Sequence, residues 1–183
     1  MIIKDYKKAA MLLRNKKVGV VPSDTLYGFS CSAFCKDCVE RIYRIKNRDF
    51  DKPFIILISD IESLSEFGVD IEANREIMEK YWPGPVSIIL DCKSEKFSFL
   101  HRGMRSLAFR VPSDQQLQNL LKETGPIVST SLNVSGEDPV EDIKTANELF
   151  DEKIDFYLDV GTKTGLLSKI LKIEGGKEVV IRG

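Results

Sequence analysis

Three cations, Lys46, Arg48 and Lys52, fall within seven residues in the segment IKNRDFDKP. They stand at an expected helix end, just before Pro53 and an apolar run, and so lead into a sheet edge. That placement suits a polyanion such as a triphosphate, because guanidinium and ammonium groups make charge-assisted bonds to phosphate oxygens. It equally suits a solvated basic loop whose lysines complement a helix C-terminus. A second candidate is Arg110 in LAFRV. The two-residue period of a strand puts Leu107, Phe109 and Val111 on one face and Ala108 with Arg110 on the other. The small alanine leaves room for a ligand, although a solvent-facing arginine fits the same pattern. The run Ser129-Thr130-Ser131-Leu132-Asn133-Val134-Ser135-Gly136 follows an apolar stretch, and alternation sets Ser129, Ser131 and, if the strand continues, Asn133 on one side. Short hydrogen-bonding groups at a strand end suit a small polar ligand; they also make ordinary strand-to-loop turns. Pro22-Ser23-Asp24-Thr25-Leu26-Tyr27-Gly28 reads by turn chemistry alone as a turn, with Thr25 and Tyr27 on one face.

Other chemistries find little footing. Gly175-Gly176-Lys177 lacks the upstream glycine and the hydroxyl of a phosphate-binding P-loop, and no G-x-G-x-x-G occurs. The single histidine, His101, sits beside Arg102-Gly103 in an expected loop and reads as solvated surface; no Ser-His-Asp set follows from it. Metalloprotease and zinc-deaminase spacings are missing. Cys31, Cys35 and Cys38 read C-x3-C-x2-C, the spacing with which radical S-adenosylmethionine enzymes hold an iron–sulfur cluster. Against that, Cys38 falls where a helix opens, with Asp37 before it and Glu40 after. Without an export signal, reduced thiols are expected of these three and of Cys92, packed as small hydrophobes.

The elements that must position these residues alternate short apolar runs with helical segments, as an α/β domain does. Tyr6, Ala9, Ala10 and Leu13 mark a first amphipathic helix. Strands are expected at 18–21, 26–33, 54–58, 86–90, 107–111, 127–131, 156–160, 170–173 and 179–181. Helices are expected from about Asp37 to Lys46, over 61–67 and 71–81 with Pro83-Gly84-Pro85 as the stop, from Ser113 to about Glu123, and from Asp142 to Phe150. Ser113 with Gln116 forms a capping-box pattern. Direct hairpins beside helical crossovers imply a mixed sheet.

At 183 residues the chain is expected to form one domain, 1–183, on the usual scale of about 100–200 residues per domain. With 27 Lys and Arg against 28 Asp and Glu, bulk charge does not favour coating a nucleic acid or an anionic membrane, so any anion site must come from local clustering. No apolar run approaches the roughly 20 residues of a membrane helix, and the charged start MIIKDYKKAAMLLRNKK is not a signal peptide. A cytoplasmic location is the expectation.

Taken together and in order, these pieces resemble the YrdC-like family of threonylcarbamoyl-AMP synthases. PSDTLYG is similar to that family's P-T-[DE]-T-x-Y-G, IKNRDFDKP to its basic segment, and YWPGPVSIIL to its W-P-G-P-[LV]-T strand. LAFRVP is similar to V-A-V-R-x-P, STSLNVSG to x-[TP]-S-A-N-x-S-G, and VVIRG to the closing arginine segment. The resemblance runs from about residue 5 to the C-terminus. It implies a three-layer α/β domain whose twisted mixed sheet, flanked by helices, encloses a basic cavity. The implied reaction converts L-threonine, bicarbonate and ATP to L-threonylcarbamoyl-adenylate and pyrophosphate, with Mg²⁺ accompanying ATP and no protein ligand assigned to it. The product would pass to a separate transfer complex that modifies an adenosine in tRNA, and tRNA itself is a conceivable weak ligand.

Carried over by position, the resemblance implies that Thr25, Arg110, Ser129 and Ser168 contact the amino acid. Arg48, Lys52, Ser106, Ser131, Pro139 and Arg182 would contact the nucleotide, with Asn133 beside them, and Lys46, Arg48 and Lys52 would stabilise charge on the leaving pyrophosphate. Four departures stand out. Ser23 replaces a threonine, Leu132 an alanine at what would be the pocket floor, and Lys169 adds a charge next to Ser168. Leu57 stands where some members place a polar residue near the amino acid. The second C-terminal domain of some members is not expected in a chain of this length. Two other readings stay open: a non-catalytic RNA-binding module of the same fold, and carbamoyl-adenylate chemistry as in hydrogenase maturation.

Overall fold

Alternating polarity along the chain resolves, in a computed structural model describing residues 1–165, 167–174 and 177–183, into strands and helices that interleave throughout. The Gly175-Gly176 pair lies outside the described residues. The strands are β1 (Ile2–Ile3), β2 (Gly19–Pro22), β3 (Tyr27–Ser32), β4 (Ile55–Leu57), β5 (Val86–Asp91), β6 (Ser106–Arg110), β7 (Ile127–Ser131), β8 (Phe156–Leu158), β9 (Lys169–Glu174) and β10 (Lys177–Arg182). Among the described residues they form one sheet, ordered β1-β8-β2-β3-β7-β4-β6-β5-β9-β10. β1 and β2 lie parallel to β8, β4 to β6, and β5 to β9. The remaining neighbours are antiparallel. The sheet is mixed, as expected.

The helices are α1 (Tyr6–Arg14), α2 (Lys36–Lys46), α3 (Arg75–Tyr81), α4 (Ser98–His101), α5 (Gln115–Thr124) and α6 (Ile143–Phe150). Carboxylates open three of them: Asp5, Asp114 and Asp142 accept from Lys7 N, Leu117 N and Thr145 N. For α5 the cap is therefore Asp114 and not Ser113, a one-residue shift that sets a full negative charge at the positive end of the helix. The stretches 61–67 and 71–81 are largely tighter than α: Glu62–Phe67 and Glu72–Asn74 are 3₁₀ turns, and only α3 follows as α-helix.

Helices cover both faces of the sheet. On one, Ala9, Ala10 and Leu13 of α1 and Leu117, Leu120 and Leu121 of α5 pack on Val21, Leu57 and Ile127. On the other, Val39, Ile42 and Tyr43 of α2, with Ala146 and Phe150 of α6, pack on Phe29, Ile56, Phe109 and Val128. The two-residue period thus sorts the strands' apolar residues cleanly between two cores.

That sorting corrects several expectations. Leu132 is fully buried in the larger core and forms no pocket floor; Leu57 faces the helices α1 and α5. His101 is buried and closes α4, its Nδ1 accepting from Gly103 N at 3.2 Å and its Nε2 facing Ser94 O at 3.4 Å. Cys31 and Cys92 are buried free thiols, and burial pushes the Cys92 pKa up to about 11. Cys35 and Cys38, however, form a disulfide, where reduced thiols were expected. Cys35 caps α2 and Cys38 lies in its first turn, which sets their Cα atoms 5.3 Å apart, within disulfide range. Cys31 is a free thiol buried in the same core, and among the described residues no three His, Cys, Asp or Glu side chains are grouped to hold a metal ion.

Candidate active site

The turn between β2 and β3 is built by Ser23. Its buried hydroxyl donates to Leu26 O at 2.7 Å and accepts from the Thr25 and Leu26 amides, each at 3.2 Å. Thr25 Oγ1 lies 2.9 Å from the same oxygen. The Ser23 hydroxyl thereby fixes the turn that aims Thr25. Next to it Gly28 allows a close approach to β7, since a Cβ there would meet Thr130 O at 2.8 Å.

A second turn fixes the far side. Buried Trp82 donates from Nε1 to Val86 O at 2.6 Å. Gly84 N donates to Val111 O at 2.9 Å and Lys169 N to Pro85 O at 3.1 Å. The Trp82-Pro83-Gly84-Pro85 segment thereby ties the exit of β6, where Arg110 sits, to the start of β9, where Ser168 sits.

Between these turns lies a cavity of about 130 Å³ lined by Thr25, Arg48, Arg110, Ser129, Ser131, Ser168 and Arg182. All four residues expected to contact an amino acid are there, with three of those expected at a nucleotide. Thr25, Leu26, Leu167 and Arg182 also line an adjoining cavity of about 1070 Å³, which includes Pro139. Ser106 lies outside the small cavity, at the opposite end of β6 from Arg110 but on the same sheet face by alternation.

Electrostatically the small cavity is dominated by cations. Burial lowers the pKa of Arg48, Arg110 and Arg182, and like charge adds to this, Arg48 acting on Arg182 and Arg182 on Arg110. Guanidinium groups stay charged through such shifts, so three of them facing one space call for a negative ligand. Arg182 is held by Ser168, donating from Nε and Nη2 to its carbonyl at 3.0 and 2.8 Å and from Nη2 to its hydroxyl at 3.0 Å. Arg110 Nη2 lies 3.1 Å from Asp24 Oδ1.

Of the expected Lys46–Arg48–Lys52 cluster, only Arg48 lines the cavity. Lys46 is buried, its Nζ donating to Ser131 O, Asn133 O and Asn133 Oδ1. Burial and the Arg48 charge push its pKa down to about 7, yet three acceptors require the three N–H groups of the protonated form. Asn133 Oδ1 also accepts from Ser131 Oγ at 2.7 Å, and its amide donates to Glu137 O. Lys46 and Asn133 thus hold Ser131 in place from behind. Lys52 is exposed and paired with Asp49 at 2.5 Å, which raises the lysine's pKa. Its carbonyl accepts from Arg48 Nε at 3.1 Å, so its backbone orients Arg48.

Two residues escaped sequence reasoning. Ser87, buried on β5, has its hydroxyl 3.3 Å from that of Ser168. Asp24, inside the first motif, faces Arg110. Ser87 gave no signal, whereas an acid within a polar turn offered a weak one.

A mixed α/β sheet covered on both faces by helices, with an arginine-lined cavity against it, is the class of architecture this chain adopts. The particular family follows from likeness. A family model described as "Telomere recombination", the Sua5/YciO/YrdC domain, matches residues 11–183, and the chain belongs to that family. It is 34% identical to a threonylcarbamoyl-AMP synthase of Bacillus subtilis over 96% of this chain and 52% of that protein. It is 30% identical to one of Serratia proteamaculans, over 91% and 90% respectively. Pyrococcus abyssi Sua5 complexed with L-threonine superposes with a TM-score of 0.88 at 27% identity, covering all of this chain and 56% of that one. The chain thus spans about half the length of some curated relatives and nine-tenths of another. Among the described residues, no helix is long and apolar enough to cross a membrane.

Proposed function

We propose that residues 1–183 act as one domain that makes L-threonylcarbamoyl-adenylate and pyrophosphate from L-threonine, bicarbonate and ATP. The observation that carries this reading is the convergence of Arg48, Arg110 and Arg182 with the hydroxyls of Thr25, Ser129 and Ser168 in one cavity. Relatives named as threonylcarbamoyl-AMP synthases and a threonine complex of a structural neighbour support the substrate assignment.

In this reading the amine nitrogen of threonine bonds to the carbon of bicarbonate with loss of water, giving a carbamate. A carbamate oxygen then attacks the α-phosphorus of ATP, and the bond to the pyrophosphate oxygen breaks. Arg110, with Thr25, Ser129 and Ser168, binds the amino acid. Arg48 and Arg182 meet the nucleotide's phosphates, and the adjoining cavity near Pro139 takes the remainder. Charge grows on the leaving pyrophosphate, and preoriented guanidinium groups stabilise it without reorganising. Holding a water-labile carbamate in line with phosphorus supplies much of the acceleration, since oriented reactants can save about 7–11 kcal/mol of barrier. Among the described residues no three His, Cys, Asp or Glu side chains converge to bind a metal. In this scheme Mg²⁺ enters with the ATP substrate, and the protein contributes its cations. A transfer system acting on tRNA consumes the product.

The test is pyrophosphate release by the purified chain. It is expected only when ATP, Mg²⁺, bicarbonate and L-threonine are all present, with L-serine serving less well. Release independent of the amino acid would refute the reading. The RNA-binding alternative is separated by titrating tRNA and ATP binding against salt, since phosphate contacts to a long polyanion weaken steeply as salt rises.

A further inference from the structure

We infer that Asp24 is a positioning residue for Arg110, setting the amino-acid half of the cavity; the inference rests on the reaction proposed above. Arg110 and Asp24 have side chains only 4% and 5% exposed, with Nη2 and Oδ1 3.1 Å apart. A guanidinium this deep, with Arg182 as a like-charged neighbour, is costly without a counter-charge. Asp24 supplies it. The carboxylate is itself anchored, for Oδ2 accepts from Ser113 N at 3.2 Å. Ser113 lies three residues past Arg110, so one side chain links the turn that carries Thr25 to the exit of the strand that carries Arg110.

The pairing has an unusual form. Arg110 Nε and Asp24 Oδ1 are buried, yet neither makes a hydrogen bond. The contact is therefore one of charge and proximity and leaves guanidinium N–H groups unconsumed. Asp24 borders the wider cavity and not the small one, while Thr25 borders both. The carboxylate thus lies outside the lining of the small cavity that Arg110 borders. A carboxylate that bonded Arg110 bidentately would compete with the carboxylate of an amino acid; this one holds the cation and leaves its donors to the substrate.

The experiment is Asp24→Asn, which keeps shape and removes charge, read by calorimetric binding of L-threonine and by the KM values for threonine and ATP. Threonine Kd and KM are expected to rise at least about tenfold with ATP KM within about twofold, as when a buried charge pair loses one partner. Asp24→Glu keeps the charge but moves it, and is expected to give threonine values between the two. Unchanged threonine binding in Asp24→Asn, or equal increases for threonine and ATP, overturns the inference. Should Asp24→Asn not fold, Asp24→Glu decides: a selective rise in threonine Kd supports the role, and a wild-type value refutes it. Wild-type protein that binds threonine but releases no pyrophosphate would refute the proposed reaction alone, and the variants' threonine Kd would still judge Asp24. If wild-type protein binds no threonine, both fall.

Discussion

The three cations of the IKNRDFDKP segment look equivalent in sequence and are not equivalent in space. Arg48 faces the cavity, Lys46 is spent on the Ser131–Asn133 loop, and Lys52 holds an exposed pair with Asp49. Removing each should therefore differ in kind. In the proposed reaction Arg48→Ala deletes a donor to developing phosphate charge, and it is expected to cut pyrophosphate release by about 10²-fold, the scale for losing one preorganised donor. Its melting temperature should fall only slightly, because the guanidinium reaches into a cavity and touches the core only over the Phe54 ring. Lys52→Ala leaves the backbone carbonyl that orients Arg48 and removes only a solvent-screened pair, so turnover should fall by no more than about threefold. Steady-state kinetics on the two variants checks the contrast. Equal losses would mean that both side chains reach the phosphates and that the exposed pairing of Lys52 is not what governs it.

Elements set these residues where single positions cannot. Helix α5 starts five residues after Arg110, and Asp114 at its head accepts from Leu117 N at 2.9 Å. Asp114→Ala should cost about 1 kcal/mol of stability, the usual worth of such a cap. In urea the midpoint should drop without a change in m-value; an unchanged midpoint would show that packing of Leu117, Leu120 and Leu121 alone fixes the helix. Elements of this kind were largely legible in the sequence. β7 lies where alternation set it, at Ile127–Ser131, and the face of Arg110 followed from its neighbours Leu107, Phe109 and Val111. What periodicity could not reach was long-range. The direction of the Lys46 ammonium depends on a loop some 85 residues away, and the burial of His101 depends on α4, a four-residue helix too short to show a period. Leu132 misled for a related reason. The motif suggested a pocket floor, whereas alternation turns every second residue of that run into the core. The Cys35–Cys38 pair was missed because compartment, and not local helix geometry, guided the expectation.

At the scale of the whole chain, charge is nearly balanced, yet three arginines share one cavity. They come from segments far apart in sequence, with Arg48 before β4, Arg110 at the end of β6 and Arg182 at the end of β10. Only the assembled sheet brings them together, so the unfolded chain has no such site and their mutual repulsion is a cost of folding that a bound anion would relieve. Ligand binding must then appear as stability. L-threonine at about 100 times its Kd should add ~2.7 kcal/mol. For a chain of this size, at about 2–4 °C per kcal/mol, that raises the melting temperature by roughly 5–11 °C. Arg110→Ala should abolish the threonine shift while keeping a shift with ATP, because Arg48 and Arg182 remain. Thermal scans with each ligand check this in both proteins. An unshifted wild type would deny that the cavity takes the amino acid, and loss of both shifts in the variant would mean that the two substrates do not divide the arginines between them.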